Sequence, residues 1–345
     1  MEKGIYVKDI QVGQEYSGLF IASQANLSQT RANKQFWRLS LSDKTGSTEA
    51  KIWPPLSLEI TNFPQSSIVK AKGKAEIFNN QTYLNVYTID ILDTDKQKEI
   101  DFSDFLPVSK YNTQEMFDKL KFLCKEEFTY GPWKKFIFSV LDDKNISEKL
   151  CFSPAAKGVH HAYIGGLLEH TLSVFTLCQK IADQYPNLDR QTLLAGALFH
   201  DIGKIEEMYI NLTTEYTDIG KLLGHLFLGV TLLTPFLNKS GLEDDLKTHL
   251  KHLILSHHGL MEHGAVRPPQ TAEALALHYA DNLDAKMAQA KELFQNLNDN
   301  EFWTPYQKTL DRSLYKSPKS PDYQPKKSIK KLKKVEEECF SLLKE

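Results

Sequence analysis

The stretch ALFHDIGK, residues 197–204, places a histidine and an aspartate side by side at the polar end of an apolar run. An imidazole and a carboxylate at the edge of a core are costly to bury unless they bind something. All eleven histidines of the chain lie between His160 and His278. This clustering indicates that the middle of the chain has a specific need for imidazole.

The histidines and aspartates of this region form a candidate metal centre. The predicted ligands are His170, His200, Asp201, His225, His257, His258 and Asp281. Mixed imidazole and carboxylate ligands suit Mn, Fe, Co, Ni or Zn. With Asp201 as a bridge, His225 and one of the adjacent His257 and His258 would complete a second site. Two ions about 3.5–4 Å apart are the arrangement used in phosphoester hydrolysis.

Three further polar residues are candidates for substrate contacts. Lys204 follows His200 by four residues, which on a continuous helix places both on one face. A cation there would offset the charge of a scissile phosphate, so Asp201 and Lys204 are the predicted catalytic residues. A solvated lysine at a helix end is the alternative. His160 and His161 either contact substrate phosphate or cap a helix.

The elements that must position these residues fall into two classes. In the middle region, runs such as GGLLEHTLSVFTLCQKIADQY and KTHLKHLILSHH have the apolar spacing of helices, which predicts an all-α bundle. The first hundred residues contain five short runs rich in Val, Ile, Thr and aromatic residues, separated by turn residues. We therefore expect a multi-domain α+β protein: an N-terminal five-stranded OB-like β-barrel followed by the bundle, with an SH3-like barrel as the alternative.

Alternation along two of these strands places aromatic and basic side chains on the outside of the barrel. This outer set is Phe36, Arg38, Lys51 and Trp53. OB-folds bind single strands by stacking bases on aromatic rings and pairing phosphates with basic groups. We expect the outer set to bind a single nucleic-acid strand, and at this stage RNA and DNA both stay open. Packing beneath a loop or against the helical domain is the alternative.

Length and composition limit the protein class. The 345 residues exceed one typical domain, and the predicted divisions are 1–95 (OB-fold), 96–315 (helical bundle) and 316–345 (Pro/Lys-rich linker and short basic helix). That tail would bind nucleic acid, dock on a neighbouring subunit or remain solvated. A net charge of −2 gives no whole-chain signal for nucleic acid. No signal-like N-terminus, membrane-length apolar run or CxxC pair is evident, so we expect a cytoplasmic protein away from membranes. The oligomeric state stays open, with a homo-oligomer among the candidates.

The chain resembles a known family in these residues and in its domain order. The order of His170, His200-Asp201 and Asp281 is similar to that of the HD superfamily of metal-dependent phosphohydrolases, and the further histidines resemble its dinuclear subset. The strings HHAYIGGLLEHT, HDIGK, LSHHG and LHYADNLDAK behind an OB-like barrel resemble the YhaM-type 3′→5′ exoribonucleases over residues 1–315. The resemblance implies two divalent ions, with Mn²⁺ expected and Co²⁺, Fe²⁺ or Ni²⁺ as alternatives. The 3′→5′ direction comes from this resemblance alone.

The predicted function is metal-dependent 3′→5′ hydrolysis of single-stranded RNA, and of DNA as a further substrate, to 5′-mononucleotides. One alternative is an HD phosphohydrolase acting on small nucleotides, with the barrel as a regulatory module. HDIGK is followed by IEEM and not by GYP, which argues against the cyclic-di-GMP subgroup. The other alternative is a non-catalytic nucleic-acid-binding adaptor, against which the intact set of ligands argues.

Overall fold

The computed structural model describes residues 2–320 except 31, 65, 79–80, 93–99, 101–103, 106–107, 157–162, 211–213, 296 and 299–300. The chain divides into two compact units, Met1–Gln289 and Ala290–Glu345. The first unit contains both the barrel and the helices that carry the predicted metal ligands. The domain boundaries expected at residues 95 and 315 stay predictions.

A closed barrel forms the N-terminal part of the first unit. Its strands are β1 (Glu15–Gln29), β2 (Gln35–Asp43), β3 (Gly46–Ile52), β4 (Ser66–Phe78) and β5 (Gln81–Ile91). They close in the order β1-β2-β3-β5-β4, and the pairs are antiparallel except for the parallel pair β3–β5. A short helix, α1 (Leu56–Glu59), lies between β3 and β4 in the chain. This five-stranded closed arrangement confirms the predicted OB-like barrel.

Apolar side chains at alternate positions of β2 point into the barrel and fill its core. In β2 the inward positions Trp37, Leu39 and Leu41 are buried, as the sequence pattern predicts. Strand β5 comes close to β4 at Gly73, where a Cβ atom would lie only 1.9 Å from the carbonyl oxygen of Asn85. The position therefore requires glycine, and the β4–β5 register is irregular there.

Helices make up most of the rest of the first unit. They are α2 (Thr113–Glu127), α3 (Gly131–Leu141), α4 (Lys144–Phe152), α5 (Gly166–Gln184), α6 (Arg190–Phe199), α7 (Lys204–Glu207), α8 (Asp218–Ser240), α9 (Asp244–Ser256) and α10 (Ala272–Gln295), the last of which runs into the second unit. These helices confirm the predicted bundle, to which the structure adds a small hairpin of β6 (Met208–Ile210) and β7 (Thr214–Tyr216). Strands of three residues are too short for alternation to show in the sequence.

Helix α6 lies in the middle of the helical core. Every residue from Thr192 to Phe199 is buried, and Phe199 packs edge-on against Phe136 of α3. Burial of each Leu or Phe side chain contributes roughly 1.5–3 kcal/mol, so the helix is held firmly on all sides. Its N-terminus is capped by Asp189, which accepts hydrogen bonds from two backbone N–H groups. The C-terminal end of α6 is thereby fixed in place inside the unit.

Besides the barrel interior and the helical core, a smaller cluster of buried side chains lies between barrel and helices. Leu19 and Ile21 of β1 and Ile68 of β4 pack there with Phe105, which follows the last strand, and with Ile164, which precedes α5. These barrel residues point away from the barrel's own core, so the long strand β1 is buried on both sides along this part. The contact joins barrel and helical core within the first unit.

One helix among the described residues, α8, is long and apolar enough to cross a membrane by length and composition alone. The expectation that no apolar run approaches the length of a membrane helix was therefore wrong. Helix α8 was not recognised because Gly, Thr, Pro and His residues interrupt its apolar pattern without adding charge. A single helix of this kind is weak evidence for a membrane span. Moreover, α8 carries His225, one of the predicted metal ligands.

Candidate metal centre and barrel surface

Five elements bring the predicted metal ligands together. The side chains come from α5 (His170), the turn after α6 (His200, Asp201), α8 (His225), the end of α9 (His257, His258) and α10 (Asp281). Their ligand atoms form three overlapping groups, in each of which all atoms lie within 4.8 Å of one another. The structure thus unites all seven residues that the sequence singles out. Their roles as ligands stay a prediction.

The turn HDIGK gains its shape from a close backbone approach. A Cβ atom on Gly203 would lie 2.0 Å from the carbonyl oxygen of His225 and 2.5 Å from the backbone nitrogen of Gly229. Only glycine leaves room for α8 to pass at this distance. The glycine of HDIGK therefore allows His225 to approach Asp201.

The same turn changes the position expected for Lys204. Helix α6 ends at Phe199, a turn covers residues 200–203, and Lys204 begins the separate helix α7. The expectation of one continuous helix with Lys204 on the face of His200 was therefore wrong. Instead the Lys204 ammonium lies 2.7 Å from Oδ2 of Asp201 and is mostly buried.

The first group of ligand atoms surrounds Oδ2 of Asp201. This oxygen lies 3.4 Å from Nε2 of His200 and 3.6 Å from Nε2 of His170. Oδ1 of Asp281 lies 3.1 Å from the same His170 nitrogen. Imidazole and carboxylate atoms from three helical segments thus converge on one small volume.

A second group surrounds the other oxygen of the same carboxylate. Oδ1 of Asp201 lies 3.5 Å from Nε2 of His257 and 3.6 Å from Nε2 of His225. Nε2 of His258 lies 3.2 Å from Nε2 of His225, so both members of the His257–His258 pair face the cluster. Asp201 therefore presents one carboxylate oxygen to each group, as a bridging ligand does.

Each of the five histidines is oriented through its other ring nitrogen. The Nδ1 atoms lie 2.8–3.1 Å from acceptors; the pairs are His170–Asp284, His200–Ala197 carbonyl, His225–Glu207, His257–Ile254 carbonyl and His258–His263 carbonyl. An Nδ1–H that donates to such an acceptor leaves the Nε2 lone pair available for a metal. The arrangement is that of metal-binding histidines.

The buried groups fit a divalent cation. In His170 and His200 the Nε2 atoms face each other at 3.1 Å although both Nδ1 atoms have acceptors, so two lone pairs would meet unless a proton or a metal ion lies between them. Oδ1 of Asp201 is buried without a hydrogen-bond partner among the described residues. An orphaned carboxylate oxygen of this kind is costly, and a metal ion would satisfy it.

Electrostatics favour an ionised Asp201. Burial favours its protonated form, yet the charge of Lys204 and the contacts of His200 and His257 lower the pKa of the Asp201 carboxyl well below its usual value. For Lys204, burial acts to lower the pKa, but the Asp201 carboxylate outweighs it and raises the pKa. Burial, followed by the neighbouring histidines, lowers the pKa of His258 to about 3. The His258 ring is therefore neutral, as a ligand must be.

Two carboxylates that the sequence analysis did not select support the cluster. Glu207 accepts hydrogen bonds from both the backbone N–H (3.0 Å) and Nδ1 (3.1 Å) of His225. This is possible because α8 is kinked at Gly224, whose φ of +70° frees the next N–H from the helix. Asp284 lies against His170 and also accepts from Ser173. The sequence could have identified Asp284, because it follows Asp281 by three residues on a predicted helix. No sequence pattern identifies Glu207.

The predicted substrate-binding residues have different outcomes. His160 and His161 lie outside the described residues. On the barrel, the rings of Phe36 and Trp53 stack on each other with centroids 4.4 Å apart, at half-buried positions of the outer surface. Their pairing creates one continuous aromatic surface across β2 and the end of β3.

The side chains of Arg38 and Lys51 on this surface both pair with a carboxylate of the barrel itself. Glu49 of β3 lies 2.8 Å from Nε of Arg38 and 3.2 Å from Nζ of Lys51. The ammonium of Lys51 also lies 4.1 Å from the ring centroid of Tyr83 on β5. A phosphate group that binds either cation must therefore compete with the Glu49 carboxylate. Binding of substrate by these four residues stays a prediction.

The comparisons with known proteins agree with this geometry. Residues 167–286 match the family model described as HD domain, which defines the class of the helical region. The 3′-5′ exoribonuclease YhaM of Bacillus subtilis (strain 168) is 33% identical over 316 residues, which are 92% of this chain and 98% of the relative. The protein of that name from Geobacillus sp. (strain WCH70) is 30% identical over 318 residues, which are 92% of this chain and 95% of the relative. The chain belongs to the YhaM family of 3′-5′ exoribonucleases.

Among solved structures, the barrel region is similar to the second OB-fold domain of replication protein A from Methanococcus maripaludis. That match has a TM-score of 0.23 and 16% identity, and it covers 26% of this chain and 95% of the other.

Proposed function

We propose that this protein is a metal-dependent 3′→5′ exoribonuclease that shortens single-stranded RNA, and single-stranded DNA as a further substrate, to 5′-mononucleotides. The observation that carries the proposal is the carboxylate of Asp201, which offers one oxygen to each of two groups of histidine ligands. Family membership over 92% of the chain supports the reaction class and its divalent-metal dependence.

We propose two ions, bridged by Asp201, with Mn²⁺ as the physiological metal and Co²⁺, Fe²⁺ or Ni²⁺ as alternatives. The ligand set contains nitrogen and oxygen donors without thiolates, which suits all of these metals. His170, His200 and Asp281 would hold the first ion with Asp201, and His225, His257 and His258 the second. When bound, the ions supply an activated water and neutralise the leaving oxygen of a phosphodiester.

The residues of the chain provide the remaining functions. Lys204 is a fixed positive charge beside Asp201, and it keeps that carboxylate ionised while offsetting charge that develops on phosphate. Asp284 and Glu207 hold the rings of His170 and His225. Hydrolysis at the last phosphodiester breaks the bond to the 3′-oxygen of the preceding nucleotide, so the terminal residue leaves as a 5′-mononucleotide.

Capture of the strand is assigned to the barrel. The stacked pair of Phe36 and Trp53 offers a surface for a base, and Arg38 and Lys51 lie on the same face. Because Glu49 pairs with both cations, the aromatic pair is expected to contribute more to binding than the cations do. Cytoplasmic location and homo-oligomer formation stay predictions.

The direct test compares one RNA of about 20 nucleotides labelled at either end, with Mn²⁺. The proposal predicts that the 5′-labelled strand shortens as a ladder, whereas the 3′-labelled strand releases labelled mononucleotide at once. A ladder from the 3′-labelled strand would contradict the direction.

The pairing of Arg38 and Lys51 with Glu49 favours a second candidate, in which the enzyme hydrolyses small nucleotides and the barrel is regulatory. A Phe36→Ala/Trp53→Ala double variant separates the two. Loss of activity on RNA with an unchanged rate on a small phosphodiester supports strand capture. Unchanged rates on both substrates favour the small substrate.

A further inference from the structure

The second unit contains a small hairpin that neither the metal centre nor the barrel uses. We call residues 301–316 the aromatic hairpin. Its two halves pair through bridges at Trp303–Tyr315 and Gln307–Arg312. The backbone N–H of Thr304 donates to the carbonyl of Leu314 at 2.9 Å, and the Thr304 hydroxyl accepts from the N–H of Leu314 at 2.9 Å. Thr304 is buried, so the hairpin is a defined element.

Large aromatic side chains cover this hairpin and are exposed. Phe302, Trp303, Tyr306 and Tyr315 are 50%, 63%, 59% and 47% exposed. Tyr315 contacts two of them, with ring centroids 5.1 Å from Trp303 and 6.1 Å from Phe302. Scattered exposed apolar residues are ordinary, but contiguous aromatic rings on a short element mark a binding surface.

The charge of the segment identifies the class of ligand. Lys308, Arg312 and Lys316 are exposed along the hairpin. The carboxylate of Asp311 is engaged by the hydroxyl of Tyr306. In the sequence that follows, residues 317–334 contain seven lysines and one aspartate. Two copies of so basic a segment would repel each other, whereas a polyanion is attracted.

We propose that the aromatic hairpin is a second binding site for single-stranded nucleic acid, separate from the predicted site on the barrel. Bases stack on Trp303 and Tyr306, and phosphates pair with Lys308 and Arg312. Every base has a π-face, so such a platform accepts any sequence. The inference rests on the proposed function, because it assumes that the substrate is a single strand. Beyond that function, a strand longer than the active site requires would also bind at the aromatic hairpin.

The first test measures RNA binding in EDTA, which prevents cleavage, by fluorescence anisotropy of a 5′-labelled oligouridine of about 20 nucleotides. A Trp303→Ala/Tyr306→Ala double variant is expected to bind about tenfold more weakly, from the loss of stacking on two rings. The matched control is a Tyr111→Ala/Tyr185→Ala double variant, whose tyrosines are 57% and 56% exposed. The control should bind like the wild type.

A second variant tests the phosphate contacts without removing a ring. Lys308→Gln/Arg312→Gln should reduce the slope of log K against log salt concentration by about 1.4, since each lost contact with a single strand changes it by about 0.7. An unchanged slope would count against the cations. This variant also keeps the proposal testable if removal of the rings disturbs the hairpin.

The length of the substrate gives a further readout. With Mn²⁺, the KM of the ring variant should rise about tenfold for the long strand and stay unchanged for a dinucleotide, which has no nucleotides beyond those at the cleaved bond. Equal affinity of variant and wild type for the long strand, while the wild type still shortens it, overturns the inference and leaves the proposed function intact. Failure of the wild type to shorten any RNA defeats the proposed function itself. A smaller assembly mass of the variant with an unchanged Kd would identify a self-association surface and likewise overturn the inference.

Discussion

Oδ2 of Asp284 lies 2.8 Å from Nδ1 of His170, on the side of the ring opposite to the candidate metal centre. Burial acts to lower the pKa of His170, but the contacts with Asp281 and Asp284 outweigh it and raise the pKa to about 10. A metal ion that binds Nε2 must therefore displace a proton from this ring. A carboxylate behind a histidine fixes the orientation of the ring and makes its Nε2 a better ligand. Asp284 is therefore a positioning residue of the predicted centre.

Asp284→Asn should weaken metal binding by about 10- to 100-fold, because the amide is a poorer partner for Nδ1–H. Titration of the protein with Mn²⁺, followed by calorimetry, measures the affinity. Glu292→Gln is the matched control, since Glu292 is an exposed carboxylate two turns further along α10. Equal affinity of Asp284→Asn and the control would show that Asp284 has no part in positioning His170.

Gly203→Ala tests the close approach behind HDIGK. The new methyl group would lie 2.0 Å from the carbonyl oxygen of His225, so α8 must shift. We expect a loss of about 2–3 kcal/mol in the free energy of unfolding, together with weaker metal binding. Urea unfolding measures the first effect. Gly131→Ala is the control, because nothing lies within 4 Å of a Cβ atom there; a Gly203→Ala protein as stable as this control would refute the packing account.

Much of this centre was predictable because histidine and aspartate are rare in apolar helical runs. His170, His200, Asp201 and Asp281 stand out by residue type and order alone. The barrel was predictable for a similar reason, since alternation separates an inner from an outer face.

What the sequence does not reveal depends on tertiary geometry. Glu207 reaches His225 only because α8 is kinked at Gly224, and no local pattern announces that kink. Lys204 was misplaced because helical spacing was extended through a turn. The hairpin β6–β7 escaped notice because its strands are three residues long.

Glu49→Gln should strengthen binding of RNA to the barrel. Burial raises the pKa of Glu49, but Arg38 and Lys51 outweigh it and lower the pKa, so the carboxylate is charged and competes with phosphate. The free energy gained on removing this competition is about that of an exposed ion pair. The Kd of the variant for RNA should therefore be about two- to fivefold lower than that of the wild type. Anisotropy in EDTA measures it, with Glu59→Gln, an exposed glutamate of α1, as the control. A Kd that is unchanged or higher would remove Arg38 and Lys51 from the predicted interface.

The pH dependence of stability can be tested at Glu127, away from the metal centre. A hydrogen bond from Arg190 at 2.6 Å lowers the pKa of the Glu127 carboxyl. A lowered pKa in the folded state stabilises the protein above the unfolded pKa of about 4.3, and this contribution is lost as the pH falls through the folded value.

Glu127→Gln should therefore cost about 1 kcal/mol at pH 7 and progressively less as the pH falls below 4. Thermal unfolding across this range compares it with Glu148→Gln, which changes an exposed glutamate of α4. A difference between the two variants that is the same at every pH would contradict the assignment.

The central claim is that Asp201 joins two groups of ligands into one hydrolytic centre. The most direct measurement is a time course with 5′-labelled single-stranded RNA, in Mn²⁺ or in EDTA, for the wild type, Asp201→Asn and the control Glu292→Gln. We expect a ladder that shortens from the 3′ end for the wild type and the control in Mn²⁺, and no shortening in EDTA or with Asp201→Asn. Full activity of Asp201→Asn in Mn²⁺ would contradict it.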